Sequence, residues 1–342
     1  MPKRRLHLGI SQRIPLKLHL ARLASMLERV IDKLTPDIIY GDAEIDPYFG
    51  HADSDNLILR GRVLSRRPAK ATEAALSGDP SKWTNFKAMM ALFRTREIPD
   101  LKVTCLGQET QSDEEGYFEL TLPRQDNQTG WIRHVVSFGS EGDTAELIAL
   151  SPSPDAKYGI ISDIDDTLIK TDAWSLRRNL WNSLTGNVKS RHVYPDAIAL
   201  IQKLHNHVNP VYYVSSSPWN LHGFLTEIFD LAGLVRGPKF LRDLGISEKK
   251  FITDKQGQHK ANAIDEILAA NPDLQFILLG DTGQHDAHVY HDAIFRHPDR
   301  IKQVILRAPK PTLMNDNQLW VDKIMATNTP VYVGETYFPL LD

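Results

Sequence analysis

The sequence has a single cysteine, no long apolar run and little net charge, and each shortage argues against a class of protein. Cys105 has no partner for an internal disulfide, which is typical of a reducing compartment such as the cytoplasm. No stretch of about 18 apolar residues occurs, so no membrane-spanning helix is predicted. The formal net charge of -3 gives no basis for nucleic-acid binding. With 42% hydrophobic and 24% charged residues among 342, the composition is that of a globular protein.

Residues 1–35 form a basic segment with the periodicity of an amphipathic helix. Eight basic residues stand against two acidic ones. The apolar residues that recur at steps of three and four, and so share one helical face, are Leu16, Leu20, Leu23, Leu27, Val30 and Leu34. Two hypotheses stay open for this helix: it docks on the rest of the protein, or it contacts anionic lipid at a membrane surface.

Residues 36–150 have the pattern of a small, mostly antiparallel β-sandwich. Short segments rich in β-branched and aromatic residues, such as LILRGRVL (57–64) and GYFELTL (116–122), are separated by turn-rich stretches. One helix is predicted between them, in SKWTNFKAMMALF, with Ser81 as its cap. The region shows no catalytic constellation, so we expect it to serve in packing, positioning or partner contact.

Residues 151–342 alternate between apolar strands and amphipathic helices. YGIIS, PVYYVS and QFILLG are apolar runs bounded by polar residues, which is the pattern of strands buried on both faces. Helical segments such as PDAIALIQKLH and HKANAIDEILAANP lie between them. The alternation predicts an α/β fold with a doubly wound parallel sheet, whose functional site lies at the carboxyl ends of the strands.

Carboxylates are concentrated where the first of these strands ends. SDIDDT places Asp163 and Asp165 two residues apart, so in an extended segment their side chains point the same way, together with that of Thr167. Such carboxylates repel each other unless a cation lies between them, and Mg²⁺ typically uses one or two carboxylates plus substrate phosphate. A capping turn is the alternative explanation, because Asp and Thr both favour helix N-termini.

Other segments place polar residues at equivalent points. GDTGQHD puts Asp281 and Asp286 after the strand QFILL, and VYYVSSSPW ends a third strand in serines that include Ser215. Lys260 falls in the opening turn of a helix, where the helix dipole disfavours a cation, so we expect it to have a phosphate or carboxylate partner. A serine-rich turn and a surface lysine are the ordinary explanations of these residues taken singly. Their common placement favours one site.

This order of motifs resembles the four motifs of haloacid-dehalogenase-type phosphatases. More narrowly, SDIDDT, YYVSSSPWNL, GPKFLRD, HKANAIDEIL and GDTGQHD resemble the actin-patch-protein family of Mg²⁺-dependent phosphatidate phosphatases. The resemblance covers residues from about 155 to about 310 and implies a haloacid-dehalogenase-like catalytic domain over residues 151–342. The sequence around Tyr194 is less typical of the family, so the substrate is not identified by the resemblance.

The resemblance also implies a role for each residue of the motifs. Asp163 is implied to be the nucleophile that becomes an aspartyl phosphate, and Asp165 the acid that protonates the leaving group and then deprotonates water. Ser215 and Lys260 are implied to hold the phosphoryl oxygens. The implied ligands of Mg²⁺ are Asp163, the backbone carbonyl of Asp165, Asp281 and Asp286.

The sequence therefore predicts a phosphoric monoester hydrolase that uses Mg²⁺ and a phosphorylated substrate, with phosphatidate, converted to diacylglycerol and phosphate, as the first candidate. A phosphatase for a soluble metabolite or a nucleic-acid phosphate end is a second hypothesis. A non-catalytic, membrane-associated scaffold is a third. No nucleic-acid partner is expected, because the catalytic half lacks a basic stripe. The predicted location is the cytoplasm, with peripheral membrane contact if residues 1–35 bind lipid.

Overall fold

The computed structural model describes eight stretches of the chain. They are residues 43–65, 97–125, 128–139, 142–170, 193–242, 257–283, 285–308 and 315–341. All of them lie within one compact unit. The helix predicted over residues 1–35 and the helix predicted to begin at Ser81 lie outside the described residues.

The β-rich region is a seven-stranded sheet. Its strands are β1 (Ala43–Ala52), β2 (Asn56–Ser65), β3 (Lys102–Cys105), β4 (Gln108–Gln111), β5 (Tyr117–Pro123), β6 (Gly130–Phe138) and β7 (Asp143–Ser151). Their order is β4-β3-β6-β7-β1-β2-β5. Within these described strands, neighbours run antiparallel except β1 and β7, which run parallel. The predicted β-rich region is thus confirmed, as a mixed sheet.

Side-chain alternation builds the core of this sheet. In β5, Phe118, Leu120 and Leu122 are buried while the residues between them are exposed, as the period of two in a strand requires. They pack with Leu57 and Leu59 of β2 in one hydrophobic core. Burial of each such side chain stabilises the fold by roughly 1.5–3 kcal/mol.

The second part of the chain is an α/β unit around a six-stranded sheet. Its strands are β8 (Gly159–Asp163), β9 (Val211–Pro218), β10 (Lys239–Arg242), β11 (Phe276–Asp281), β12 (Ile301–Arg307) and β13 (Val331–Gly334). Its helices are α1 (Pro195–His205), α2 (His222–Ala232), α3 (Gln258–Ala270), α4 (Asp286–Arg296) and α5 (Asn315–Met325). Short 3-10 helices span Trp219–Leu221 and Phe338–Leu340.

Every neighbouring pair of described strands in this sheet is parallel, in the order β10-β9-β8-β11-β12-β13. The predicted α/β architecture with a parallel sheet is confirmed. The haloacid-dehalogenase-like character of the unit and the boundaries 1–35, 36–150 and 151–342 stay predictions. Among the described residues, no helix combines the length and the apolar character that a membrane crossing needs.

The sheet is covered on both faces. Along β11, Ile277 and Leu279 pack in one core with helices α1 and α2, while Phe276 and Leu278 pack in another with α3 and α4. Burial on both faces explains why these strands read as continuous apolar runs. The chain leaves β8 toward β9 and β10, then returns to β11 on the other side. The reversal between β8 and β11 creates a crevice at their carboxyl ends, which is the usual place for a site in such sheets.

Candidate active site

The carboxyl ends of β8 and β11 bring three aspartates together. Asp163 is the last residue of β8, Asp281 is the last of β11, and Asp286 is the first of α4. Each offers a carboxylate oxygen within 4.8 Å of those of the other two. All three side chains are buried, with at most 1% exposure. We call these three residues the aspartate cluster.

Lys260, in the first turn of α3, lies against this cluster. Its Nζ is 2.6 Å from Oδ1 of Asp163 and donates a hydrogen bond to Oδ1 of Asp286 at 2.5 Å. Lys260 is itself buried. With three carboxylates and one ammonium, the group carries a formal charge of -2, which a divalent cation would neutralise.

Burial and like charge act on the aspartate cluster together. Burial raises the pKa of Asp163 well above its usual range, the carboxylate of Asp286 raises it further, and Lys260 opposes both. Burial and then Asp286 likewise raise the pKa of Asp281. Burial alone would lower the pKa of Lys260, but the neighbouring carboxylates raise it above its usual value. Oxygen donors that are this close, buried and rich in negative charge fit Mg²⁺.

Hydrogen bonds from neighbouring groups fix the orientation of the carboxylates. The hydroxyl of Thr167 donates to Oδ2 of Asp163 at 3.2 Å. The backbone N–H of Asp281 donates to Oδ2 of Asp286 at 3.1 Å, and that of Gly283 donates to Oδ1 of Asp281 at 2.5 Å. The cluster is therefore pre-organised, which reduces the cost of binding an ion or a transition state.

Asp165 follows β8 in the chain, but its carboxylate is not part of the aspartate cluster. It contacts two serines near the end of β9 instead. The hydroxyls of Ser215 and Ser217 both donate to its Oδ2, at 2.8 and 2.9 Å. The sequence predicted Ser215 as a phosphate ligand, and the structure places its hydroxyl against Asp165. Ser217 was not predicted to have a role. The signal for it was available, because residues two apart in an extended segment point the same way.

A buried ion pair next to the site was also not predicted. Arg307, the last residue of β12, donates to both carboxylate oxygens of Asp196 at 3.0 and 3.1 Å, and both side chains are buried. Its Nε donates to the backbone carbonyl of Thr167 at 3.2 Å. Because the side chain of Thr167 contacts a cluster carboxylate, the ion pair supports the loop after β8. No local sequence pattern links two residues 111 positions apart.

The site lies in a segment of the chain that is similar to known proteins. Residues 158–308 match the family model described as the catalytic domain of phosphatidate phosphatase APP1. Over 152 residues the chain is 32% identical to phosphatidate phosphatase APP1 of Saccharomyces cerevisiae. The aligned part is 44% of this chain and 25% of the yeast protein, so the chain spans about a quarter of that relative's length. The resemblance predicted from the motifs is confirmed over this segment, which contains every predicted site residue.

Proposed function

From this similarity and from the geometry of the site, we propose that the protein is a Mg²⁺-dependent phosphatase that hydrolyses a phosphate monoester through an aspartyl phosphate on Asp163, with phosphatidate as the favoured substrate. The observation that carries the proposal is the aspartate cluster with Lys260 against it, inside the segment that matches the catalytic domain.

In the proposed enzyme, the three carboxylates of the aspartate cluster and the backbone carbonyl of Asp165 would hold Mg²⁺. When bound, the ion neutralises negative charge on the transferring phosphoryl group. The formal charge of the cluster and its oxygen donors support this assignment.

The first step is attack by a carboxylate oxygen of Asp163 on phosphorus. The bond between phosphorus and the ester oxygen breaks, and Asp165 gives its proton to the leaving oxygen. Lys260 lies 2.6 Å from Oδ1 of Asp163, where it would also offset charge on the phosphoryl oxygens. Ser215 would join it, and this role requires its hydroxyl to turn from Asp165 to a phosphoryl oxygen.

The second step releases phosphate. Asp165, now a carboxylate, takes a proton from a water molecule as that water attacks phosphorus. The bond between phosphorus and Asp163 breaks, so inorganic phosphate leaves and both aspartates return to their starting states. An acidic side chain in the place of Asp165 suits this step, because the aspartyl phosphate has to be hydrolysed for the enzyme to turn over.

The choice of phosphatidate rests on the similarity to proteins named as phosphatidate phosphatases. A lipid substrate requires the enzyme to reach a membrane surface. The basic residues 1–35, for which the sequence predicts an amphipathic helix, supply a candidate for that contact. We propose peripheral attachment through this segment.

Phosphate release from vesicles that contain phosphatidate tests the proposal. The wild-type protein should release phosphate with Mg²⁺ and lose this activity in EDTA. Asp163→Asn removes the nucleophile and should lower kcat by about a thousandfold or more. Asp155→Asn, an exposed aspartate outside the cluster, is the matched control and should leave the rate unchanged.

The same assay on soluble sugar phosphates and on 5′-phosphorylated oligonucleotides separates the substrate hypotheses. Release from soluble esters alone would contradict phosphatidate as the substrate and leave the chemistry standing. Wild-type rates in Asp163→Asn would contradict the nucleophile. Failure on every ester, together with vesicle binding that requires residues 1–35, would favour a non-catalytic scaffold.

A further inference from the structure

Two hydroxyls converge on one oxygen of Asp165. Ser215 and Ser217 donate to Oδ2 at 2.8 and 2.9 Å, and the backbone N–H of Ser217 donates to the Oγ of Ser215 at 2.9 Å. The Oγ of Ser215 therefore accepts a hydrogen bond from Ser217 and donates one to Asp165. The two serines therefore fix the carboxylate of Asp165 as a unit.

The proposed reaction gives these serines different tasks. Ser215 has to turn toward the phosphoryl group if it is to bind it, and its bond to Asp165 is then lost. Ser217 still donates to Oδ2 of Asp165 and continues to orient its carboxylate. Orientation matters here, because a general acid works only within hydrogen-bond reach of the oxygen that it protonates.

The position of Ser217 is restricted by the residues that follow it. Pro218 fixes its own φ and limits Ser217 to an extended backbone. Trp219 comes next, and its ring stacks on that of Tyr48 with centroids 4.6 Å apart and planes 10° apart. Only Pro218 separates Ser217 from Trp219, so the stacking of Trp219 on Tyr48 also restricts the position of Ser217.

Tyr48 belongs to β1 of the other sheet, so this anchor joins the two parts of the molecule. It is buried, with 3% exposure. Its ring also lies 4.2 Å from that of His222, the first residue of α2. A stacked aromatic pair stabilises its contact beyond the area that it buries, so this contact restricts the backbone at the end of β9.

We propose that Ser217 is a positioning residue for Asp165, and that Tyr48 keeps Ser217 in place through Trp219. The β-rich region then takes part in the reaction without touching the reacting atoms. The inference rests on the proposed function, because it needs Asp165 as the acid and base.

Substrates with different leaving groups test it. An alkoxide such as that of phosphatidate leaves only when it is protonated, whereas p-nitrophenolate leaves without a proton. Ser217→Ala should therefore lower kcat on phosphatidate by about 10- to 100-fold with little change in KM. On p-nitrophenyl phosphate it should give a burst of p-nitrophenolate equal to the enzyme concentration, formed within about threefold of the wild-type rate. Slow turnover follows the burst, because the attack of water still needs Asp165.

Matched variants separate positioning from general damage. Ser217→Thr keeps the hydroxyl and should restore most of the loss. Tyr48→Ala should give the same leaving-group pattern with a smaller loss, and Tyr48→Phe, which keeps the ring, should restore it. Phe49→Ala removes the next ring of the same strand, which packs 4.8 Å from Trp131, and should leave both substrates unaffected. If Tyr48→Ala does not fold, Tyr48→Leu gives the same test.

Each outcome decides the inference. The substrate-dependent loss with a burst supports it. In Ser217→Ala, a burst of p-nitrophenolate that is slowed as much as phosphate release from phosphatidate, or no loss on phosphatidate, overturns the inference, while the wild-type activity leaves the proposed function intact. A wild-type protein that hydrolyses neither ester overturns the proposed function, and the role of Ser217 falls with it.

Discussion

Among single residues, Gly280 shows how little space surrounds the aspartate cluster. A Cβ at this position would lie 2.7 Å from Oδ2 of Asp286 and 2.7 Å from the ring of Tyr290. The ring can move away only by losing a hydrogen bond, because the hydroxyl of Tyr290 donates to the backbone carbonyl of Leu279 at 2.6 Å. Glycine at position 280 therefore allows Asp286 to reach the cluster.

Gly280→Ala should displace Asp286 and weaken Mg²⁺ binding by about 10- to 100-fold, the range found when groups behind metal ligands are altered. Titration calorimetry or the Mg²⁺-dependent shift in Tm measures this without any substrate. The control is Gly223→Ala in α2, where a Cβ would meet no atom within 4 Å, and it should bind Mg²⁺ as the wild type does. Unchanged affinity in Gly280→Ala would argue against Asp286 as a ligand.

The sequence indicated those candidate site residues that follow a simple local spacing. Asp163 and Asp165 are two apart after a strand, and Asp281 ends another strand. Arg307 and Asp196 were not found, since each looks like an ordinary charged residue until the fold brings them together. Nothing in the sequence around Tyr48 indicates that its ring stacks on Trp219, because strand β1 and the 3-10 helix after β9 are distant in the chain.

At the scale of elements, His51 marks the contact of β1 with the α/β unit. Its ring is buried and lies 5.6 Å from that of Phe240 in β10. Within the described residues neither ring nitrogen has a hydrogen-bond partner, and Nε2 is 3.7 Å from a carboxylate oxygen of Glu266 in α3. Burial, and then the positive charge of Arg60, lower the pKa of His51 to about 3. The folded protein therefore holds this imidazole neutral.

Acid should lower the free energy of unfolding through His51, because protonation of its buried ring weakens the contact between β1 and the α/β unit. Below pH 6.5 the unfolded chain binds a proton at His51 that the folded chain binds only near pH 3, so the free energy of unfolding falls as the pH drops between these values. From pH 7 to pH 4.5 the contribution of His51 is roughly 2.5–3 kcal/mol. His51→Leu should lose that part of the acid sensitivity, measured as the difference between urea unfolding at the two pH values. An equal pH dependence in both proteins would show that the pKa of His51 is the same in the folded and unfolded chains.

The sequence predicts a strand or a helix well when one face or both faces of that element are buried, because burial sets the spacing of its apolar residues. The apolar runs of β8, β9 and β11 and the periodic helices α1 and α3 follow from that rule. Strand pairing between distant segments does not, since β1 pairs in parallel with β7 about a hundred residues later through only a short register, Gly50 with Ala149 and His51 with Leu150. Such pairing depends on the packed core as a whole.

For the whole molecule, the site extends beyond the segment that matches the family model. That segment ends at residue 308. Arg307 donates to the backbone carbonyl of Glu335 at 2.9 Å, and the backbone N–H of Tyr337 donates to Oδ2 of Asp196 at 2.6 Å. The hydroxyl of Tyr337 donates to the carbonyl of Gly280 at 3.2 Å. The C-terminal residues thus close the core from which the aspartate cluster projects.

Tyr337 and its neighbour offer a direct test of this closure. Tyr337 is fully buried, whereas Phe338 is 57% exposed. Tyr337→Ala leaves a cavity beside Arg307 and should lower the free energy of unfolding by about 3 to 5 kcal/mol, while Phe338→Ala should change it by less than about 0.5 kcal/mol. Urea unfolding of the full chain measures both. Small and equal losses of the free energy of unfolding in both variants would mean that the contacts of Tyr337 contribute little to the stability of the α/β unit. A large loss in Tyr337→Ala alone would mean that the folded unit that carries the aspartate cluster runs past residue 308, because contacts that hold Arg307 and Asp196 come from there.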